Sequence, residues 1–258
     1  MNLYPNNLSI RGSDSMLKKL YDTSQIWFAV VWIVGYCVLM SVGDSFSTMI
    51  GMEKSVTFIL GLTLSALLLL FLKRNGLLEA YGLCRPKVSS KSMLYYIPVL
   101  VMLTANSWYG LSFHYSLPET ALYILTMLCV GFLEEVIFRG LLFEAMRKNG
   151  AKVAVIVSSV SFGIGHIVNL INGSGTELLP NSLQILYATA AGFMFVMIYY
   201  KTKSMLLCII SHALFNAFSV FADESNATMK MQILSAILLA VITGGYAAYI
   251  ALTFDKKE

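Results

Sequence analysis

The chain has 258 residues, of which 57% are hydrophobic and only 12% are charged, and its mean hydropathy is +0.72. A soluble globular domain carries about 25% charged residues, so this composition excludes a soluble domain and indicates a polytopic membrane protein. The net charge is +4. The placement of the basic residues between apolar segments explains that charge without a nucleic-acid partner.

Eight segments are apolar and long enough to cross a bilayer as helices of about 20 residues. In chain order they are residues 24–43, 56–72, 94–110, 119–146, 152–170, 182–200, 204–222 and 231–253. The first lacks a small-residue cleavage site after it, which favours a retained anchor over a cleaved signal peptide. We therefore expect an all-α fold of about eight transmembrane helices around a polar cavity. A single domain is predicted over residues 1–258, with its motifs in a core of about 119–222.

Basic residues in short loops remain on the cytoplasmic side of a membrane, and here they alternate with the predicted spans. The loops of one side hold most of them: Arg11, Lys18, Lys19, Lys73, Arg74, Arg85, Lys87, Lys91, Arg147, Lys148, Lys152, Lys201, Lys203, Lys256 and Lys257. The opposite loops hold Lys54 and Lys230, and Arg139 lies within a span. This asymmetry predicts that both termini are cytoplasmic.

The fourth span carries three charged residues, Glu134, Glu135 and Arg139. A charged side chain near the middle of a bilayer costs roughly 2.5–3.5 kcal/mol on insertion scales, so such groups normally face a polar cavity. Glu135 and Arg139 are four residues apart on a helix and are predicted to pair. Glu134 lies about 100° further round the helix. It is not neutralised in the same way and is the candidate base.

The fifth and seventh spans add polar residues that are expected to lie at the same depth. His166 lies in the fifth span, and His212 and Asn216 share one helix face in the seventh. Counted from the nearest basic residue at the cytoplasmic end of its own span, Glu134 lies 13 residues deep, His166 14 and Asn216 13. At 1.5 Å per residue this is about 20 Å. Three helices are therefore predicted to bring their polar groups into one layer.

A carboxylate, two histidines and an asparagine in one buried cavity suit peptide hydrolysis. Glutamate and histidine can activate a water molecule, and histidine and asparagine can donate hydrogen bonds to the oxyanion of the tetrahedral intermediate. Glu134, His166 and His212 could instead bind a zinc ion with a coordination position open for water. These residue types alone do not separate metal-free from zinc-dependent hydrolysis.

Three spaced motifs occur in a fixed order along residues 134–216: Glu134-Glu135-x-x-x-Arg139, Phe162-x-x-x-His166 and His212-x-x-x-Asn216. They resemble the motifs of the CPBP family, which includes the type II CaaX prenyl proteases and the bacterial Abi proteins. The resemblance implies an intramembrane endopeptidase. The motifs cover less than half of the chain, and the first three predicted spans lie outside them.

By this resemblance Glu134 and His166 activate the water, His212 and Asn216 form the oxyanion site, and the ion pair of the fourth span organises the cavity. The family is described as one of metalloproteases, so the expected cofactor is either none or one divalent metal, with zinc as the first candidate. The expected partners are the lipid bilayer and a membrane-associated peptide or protein substrate, lipidated or not. The expected location is a bacterial cell membrane.

Two other classes of function use similar residues. A non-enzymatic membrane protein, such as an immunity factor or scaffold, could bind a peptide in the same cavity. A proton-coupled transporter also uses buried Glu, His and Arg groups, but no repeat relates the two halves of this chain, as many transporter folds would require.

Overall fold

The structure, a computed structural model, describes residues 16–172, 175–223, 225 and 227–253. Within these residues it is helical, with no β-strand, and the expected all-α class is confirmed. The α-helices are α1 (Met16–Thr23), α2 (Gln25–Ile50), α3 (Ser55–Arg74), α4 (Ile97–Leu103), α5 (Leu117–Glu135), α6 (Phe143–Arg147), α7 (Ala151–Gly165), α8 (Leu178–Thr202), α9 (Leu206–Phe218) and α10 (Met229–Leu252). A π-helical segment, Val136–Leu142, joins α5 to α6. Shorter 3-10 segments are Ser90–Tyr96, Ala105–Ser107, His166–Leu170 and Ser219–Phe221.

Six helical stretches in the described part of the chain are long and apolar enough to cross a membrane. They are Gln25–Ile50, Ser55–Arg74, Leu117–Arg147, Ala151–Leu170, Leu178–Thr202 and Met229–Leu252. Local sequence sets their ends, as α2 shows: the Ser24 hydroxyl accepts a hydrogen bond from the Trp27 backbone, and Gly51 ends the helix with a φ of 74°. Each stretch corresponds to a predicted span, so the chain is an integral membrane protein.

The third predicted span, residues 94–110, is corrected by the structure to a broken segment. Leu94, Tyr95 and Tyr96 have φ values of 48°, 50° and 59°, a left-handed backbone that cannot belong to a right-handed helix. The helix α4 therefore begins only at Ile97 and has seven residues, which gives a length of about 10 Å. Hydropathy alone does not reveal this break.

The seventh predicted span, residues 204–222, is also shorter than expected. Its apolar helical part is Leu206–Phe221, which includes α9 and the following 3-10 turn. At 1.5 Å per residue an α-helix of that length reaches about 24 Å, less than the roughly 30 Å of a hydrocarbon core. Because α9 packs along α5, its polar residues are held inside the bundle.

Two helix crossings without room for a side chain position the site. A Cβ atom on Gly131 of α5 would lie 2.6 Å from the backbone nitrogen and Cα of Ala213 in α9. A Cβ atom on Gly163 of α7 would lie 1.9 Å from the Thr189 hydroxyl in α8. Small residues allow helix backbones to approach closely inside membranes. The first crossing lies one turn before the two glutamates and directly beside His212.

Several basic residues lie near the ends of helices. Lys18, Asn75 and Lys148 line one cleft of about 510 Å³, so the beginning of α2 and the ends of α3 and α6 share one end. Lys54 lies in the opposite connection, between α2 and α3. Three of the predicted cytoplasmic basic residues lie outside the described residues: Arg11, Lys256 and Lys257.

Candidate active site

The last turn of α5 places two carboxyl groups side by side inside the bundle. Glu134 is 9% exposed and Glu135 is completely buried. Bilayer hydrocarbon offers no water to such groups, so each needs partners within the protein. Glu135 has a charged partner in Arg139, whereas Glu134 has no Lys or Arg partner among the described residues, so the two carboxylates lie in different environments.

Glu135 pairs with Arg139, as the four-residue spacing predicted. Arg139 Nη1 is 3.2 Å from Glu135 Oε1, and both side chains are completely buried. The guanidinium carbon lies 4.0 Å from the centre of the Phe162 ring and 5.5 Å from that of Phe195. No Arg139 nitrogen makes a well-aligned hydrogen bond to a described residue. Charge attraction and the two aromatic faces therefore hold the guanidinium in place.

His212, on α9, contacts both carboxylates. Its Nδ1 is 2.8 Å from Glu135 Oε1, and its Nε2 is 3.4 Å from Glu134 Oε2. The imidazole stacks on the Phe195 ring at 5.6 Å and meets the edge of the Phe162 ring at 5.6 Å. Nδ1 lies within hydrogen-bonding distance of the arginine-paired carboxylate, and Nε2 faces Glu134. The sequence predicted His212 in the site but not its contact with Glu135.

His166 approaches the site from the end of α7. Its backbone oxygen accepts a hydrogen bond of 2.8 Å from Asn181 Nδ2, and its ring meets the edge of the Phe162 ring at 5.5 Å. No hydrogen bond joins the His166 ring to Glu134 within the described residues, so the two residues predicted to share a water molecule do not bond to each other directly. His212 is the histidine that touches Glu134.

A small cavity of about 60 Å³ lies beside His166 and His212. His166, His212 and Asn216 all line it, together with the Gln184 side chain and an otherwise largely apolar wall. Its volume suffices for a few water molecules but not for a peptide. Larger clefts of about 510 and 720 Å³ are lined by none of the predicted site residues. Of the four predicted catalytic residues, His166, His212 and Asn216 line this cavity and Glu134 does not; Glu134 Oε2 instead lies 3.4 Å from His212 Nε2.

Tyr36 is a site residue that the sequence reasoning missed. Its hydroxyl donates a hydrogen bond of 2.7 Å to Glu134 Oε1, from a side chain that is 8% exposed on α2. A tyrosine in the middle of a span carries a hydroxyl that needs a polar partner. This need is the feature of the sequence that could have pointed to Tyr36 as a site residue. Only the tertiary packing of α2 shows that this partner is 98 residues away.

The three residues considered as zinc ligands do not fit a metal site in this arrangement. Among the residues that the structure describes, no group of three or more His, Cys, Asp or Glu side chains could hold a metal ion. His212 holds Nδ1 against Glu135 and turns Nε2 toward Glu134 Oε2 at 3.4 Å, an orientation that suits a metal ligand as well as acid–base chemistry. The three residues are not gathered closely enough to hold a metal ion together, so in this arrangement they fit acid–base and hydrogen-bonding roles.

Two comparisons with known proteins found similarity to this chain. Residues 116–218 match the family model described as Type II CAAX prenyl endopeptidase Rce1-like. The chain is also 35% identical over 116 residues to a protein of Bacillus subtilis (strain 168) named "Putative membrane peptidase YdiL". That alignment covers 42% of this chain and 42% of the relative, less than half of either. The family match contains all six predicted site residues, and Tyr36 lies outside it.

Proposed function

We propose, from the match of residues 116–218 to the type II CAAX prenyl endopeptidase Rce1-like family, that the chain is an intramembrane endopeptidase of the CPBP family. Its substrate is a membrane-associated peptide or protein. The observation that supports this most directly is the buried contact of His212 with both Glu134 and Glu135, beside a cavity of water-molecule size. Ionisable groups at this depth are costly and usually functional.

Glu134 is the proposed general base, with His166 as its partner across the cavity. Glu134 Oε2 makes no hydrogen bond within the described residues and faces the imidazole that lines the cavity. It is therefore the oxygen that can accept a proton from a water molecule. In the proposed step the water oxygen bonds to the substrate carbonyl carbon while its proton moves to Glu134. His166 orients the same water through its ring.

His212 and Asn216 are the proposed donors to the oxyanion. Both line the cavity from α9, one turn apart, which suits the negative charge that develops on the substrate oxygen. Collapse of the intermediate breaks the C–N bond, and the leaving nitrogen takes the proton back from Glu134. Glu135, held by Arg139, fixes the orientation of the His212 ring through Nδ1.

Replacing the base tests the proposal. We expect purified Glu134→Gln to cleave a membrane peptide at least about 100-fold more slowly than the parent, because general-base catalysis typically contributes 10²- to 10⁴-fold. The measurement is the cleavage rate in liposomes, followed by mass spectrometry of the products. A suitable control is Glu79→Gln, which changes an exposed carboxylate paired with Lys87 and should cleave like the parent. Equal rates for parent and Glu134→Gln would contradict the proposal and favour a non-enzymatic peptide-binding role.

The substrates for this test follow from the family. One peptide carries a prenylated cysteine near its C-terminus, and a second has the same sequence with an unmodified cysteine. Cleavage of only the prenylated peptide would support CaaX-type specificity. Cleavage of both would support a membrane peptidase of broader substrate specificity, which does not require a prenyl group.

A further inference from the structure

The two oxygens of Glu134 have different partners. Oε1 accepts a hydrogen bond of 2.7 Å from the Tyr36 hydroxyl. Oε2 is buried, makes no hydrogen bond with any described residue, and lies 3.4 Å from His212 Nε2. Resting on the proposed function, we infer that Tyr36 is a positioning residue of the proteolytic site: its hydroxyl holds Oε1 so that Oε2 is the oxygen that receives the proton.

Tyr36 is well placed for this function because its own helix fixes it. Phe28, Trp32, Tyr36 and Met40 recur every four residues along α2, and all four are buried. The helix α2 packs against the π-helical segment that follows the glutamates. A tyrosine has only two main side-chain torsions, so a buried ring delivers its hydroxyl to a defined place.

The charges of the site explain why Glu134 needs such a donor. The buried Arg139 makes its ion pair with Glu135. A hydrogen bond from a neutral hydroxyl stabilises a carboxylate without adding a counter-charge that would compete for the proton. Tyr36 therefore keeps Glu134 in a fixed orientation while leaving its second oxygen reactive.

This inference extends the site beyond the region of family similarity. Residues 116–218 contain the glutamates and histidines but no part of α2. If Tyr36 orients the base, the first long helix completes the catalytic geometry as well as anchoring the chain. A purely structural role, as a tie between α2 and α5, is the competing explanation.

The experiment compares kinetics in a double-mutant cycle. In Tyr36→Phe we expect kcat to fall about 10- to 100-fold with KM within twofold of the parent, because the ring still packs and only the hydroxyl is lost. In the Glu134→Gln background the same change should alter the residual rate less than twofold, since no carboxylate base is left to orient. The matched control is Tyr21→Phe, which removes a buried hydroxyl that lies 2.8 Å from Tyr81 Oη and should leave kcat within twofold.

Three results would overturn the inference while the proposed function stands. One is a Tyr36→Phe kcat within twofold of the parent, although Glu134→Gln is inactive. Another is an equal fold-loss from Tyr36→Phe in both backgrounds. The third is a melting temperature in detergent that falls well below that of Tyr21→Phe, with an unchanged rate per folded molecule isolated by size-exclusion chromatography. Normal cleavage by Glu134→Gln would instead overturn the proposed function, and this inference with it.

Discussion

At the scale of single residues, the site is a continuous series of contacts: Tyr36, Glu134, His212, Glu135, Arg139. Every member is at most 9% exposed. In such a series the loss of one partner leaves its neighbour with an unsatisfied buried charge or hydrogen bond. The contribution of each residue therefore depends on the next, and pairwise substitutions are more informative than single ones.

The Glu135–Arg139 pair gives a stability prediction. Arg139→Met leaves the completely buried Glu135 without its cation, and breaking a buried ion pair in this way typically costs about 3–5 kcal/mol. The double variant Glu135→Gln/Arg139→Met removes both charges and should recover at least half of the lost stability. Its activity should remain low, since His212 loses its charged partner. The measurement is thermal unfolding in detergent together with the cleavage rate, and a double variant no more stable than Arg139→Met would contradict the prediction.

At the scale of helices, the path from α5 to α6 runs through a π-helical segment that contains Arg139, and all seven of its residues are buried. Such segments are rare and often occur at functional sites because they change which residues face a cavity. The second feature at this scale is the close crossing of α5 and α9 at Gly131 and Ala213. Together they decide where the carboxylates of one helix meet the imidazole of another.

The crossing at Gly131 can be tested with an alanine. In Gly131→Ala the new Cβ would meet the Ala213 backbone at 2.6 Å, so the helices must separate, at a typical overpacking cost of about 1–3 kcal/mol. We expect a lower melting temperature and at least about a 10-fold lower cleavage rate. Gly245→Ala in α10 is the control, because a Cβ there has nothing within 4 Å. It should be as stable as the parent or slightly more so, as alanine is the better helix former.

At the scale of the whole molecule, the apolar helices and the distribution of basic residues define the protein's place in the bilayer. Lys18, Asn75 and Lys148 share one end of the bundle, which agrees with the predicted alternation of basic loops. The assignment of that end to the cytoplasm is a proposal from the positive-inside rule. It would place the predicted layer of polar residues about 20 Å from the cytoplasmic basic flanks.

Cysteine labelling tests this orientation. In a background where Cys37, Cys84, Cys129 and Cys208 are replaced by alanine, single cysteines are introduced at two exposed positions, Met52 and Ser90. We expect a membrane-impermeant maleimide to label Met52→Cys in intact bacterial cells and Ser90→Cys only after permeabilisation. The reverse pattern would show that the basic loops face outward. Equal labelling of both positions in intact cells would contradict the alternating topology.

Much of the site follows from spacing within single helices. The four-residue interval predicts the Glu135–Arg139 pair, and it places His212 and Asn216 on one face of α9, where both line the same cavity. The number of residues from Glu134, His166 and Asn216 to the nearest basic residue predicts that the three lie at the same depth in the bilayer. Local periodicity could not reveal that His212 lies between two carboxylates or that Tyr36 holds Glu134, because these contacts join residues 77 and 98 positions apart.

The sequence by itself determined the all-helical membrane class, six long spans and the polar residues His166, His212 and Asn216, which line one cavity. It could do so because hydropathy, helical period and motif order are properties of contiguous residues. Only the tertiary structure decided that the third predicted span is broken, that the helix after Glu135 widens into a π turn, and which histidine touches Glu134. Those features depend on how closely helices pack at positions such as Gly131. The hydrophobic periodicity of one helix does not show how that helix packs against a segment far away in the sequence.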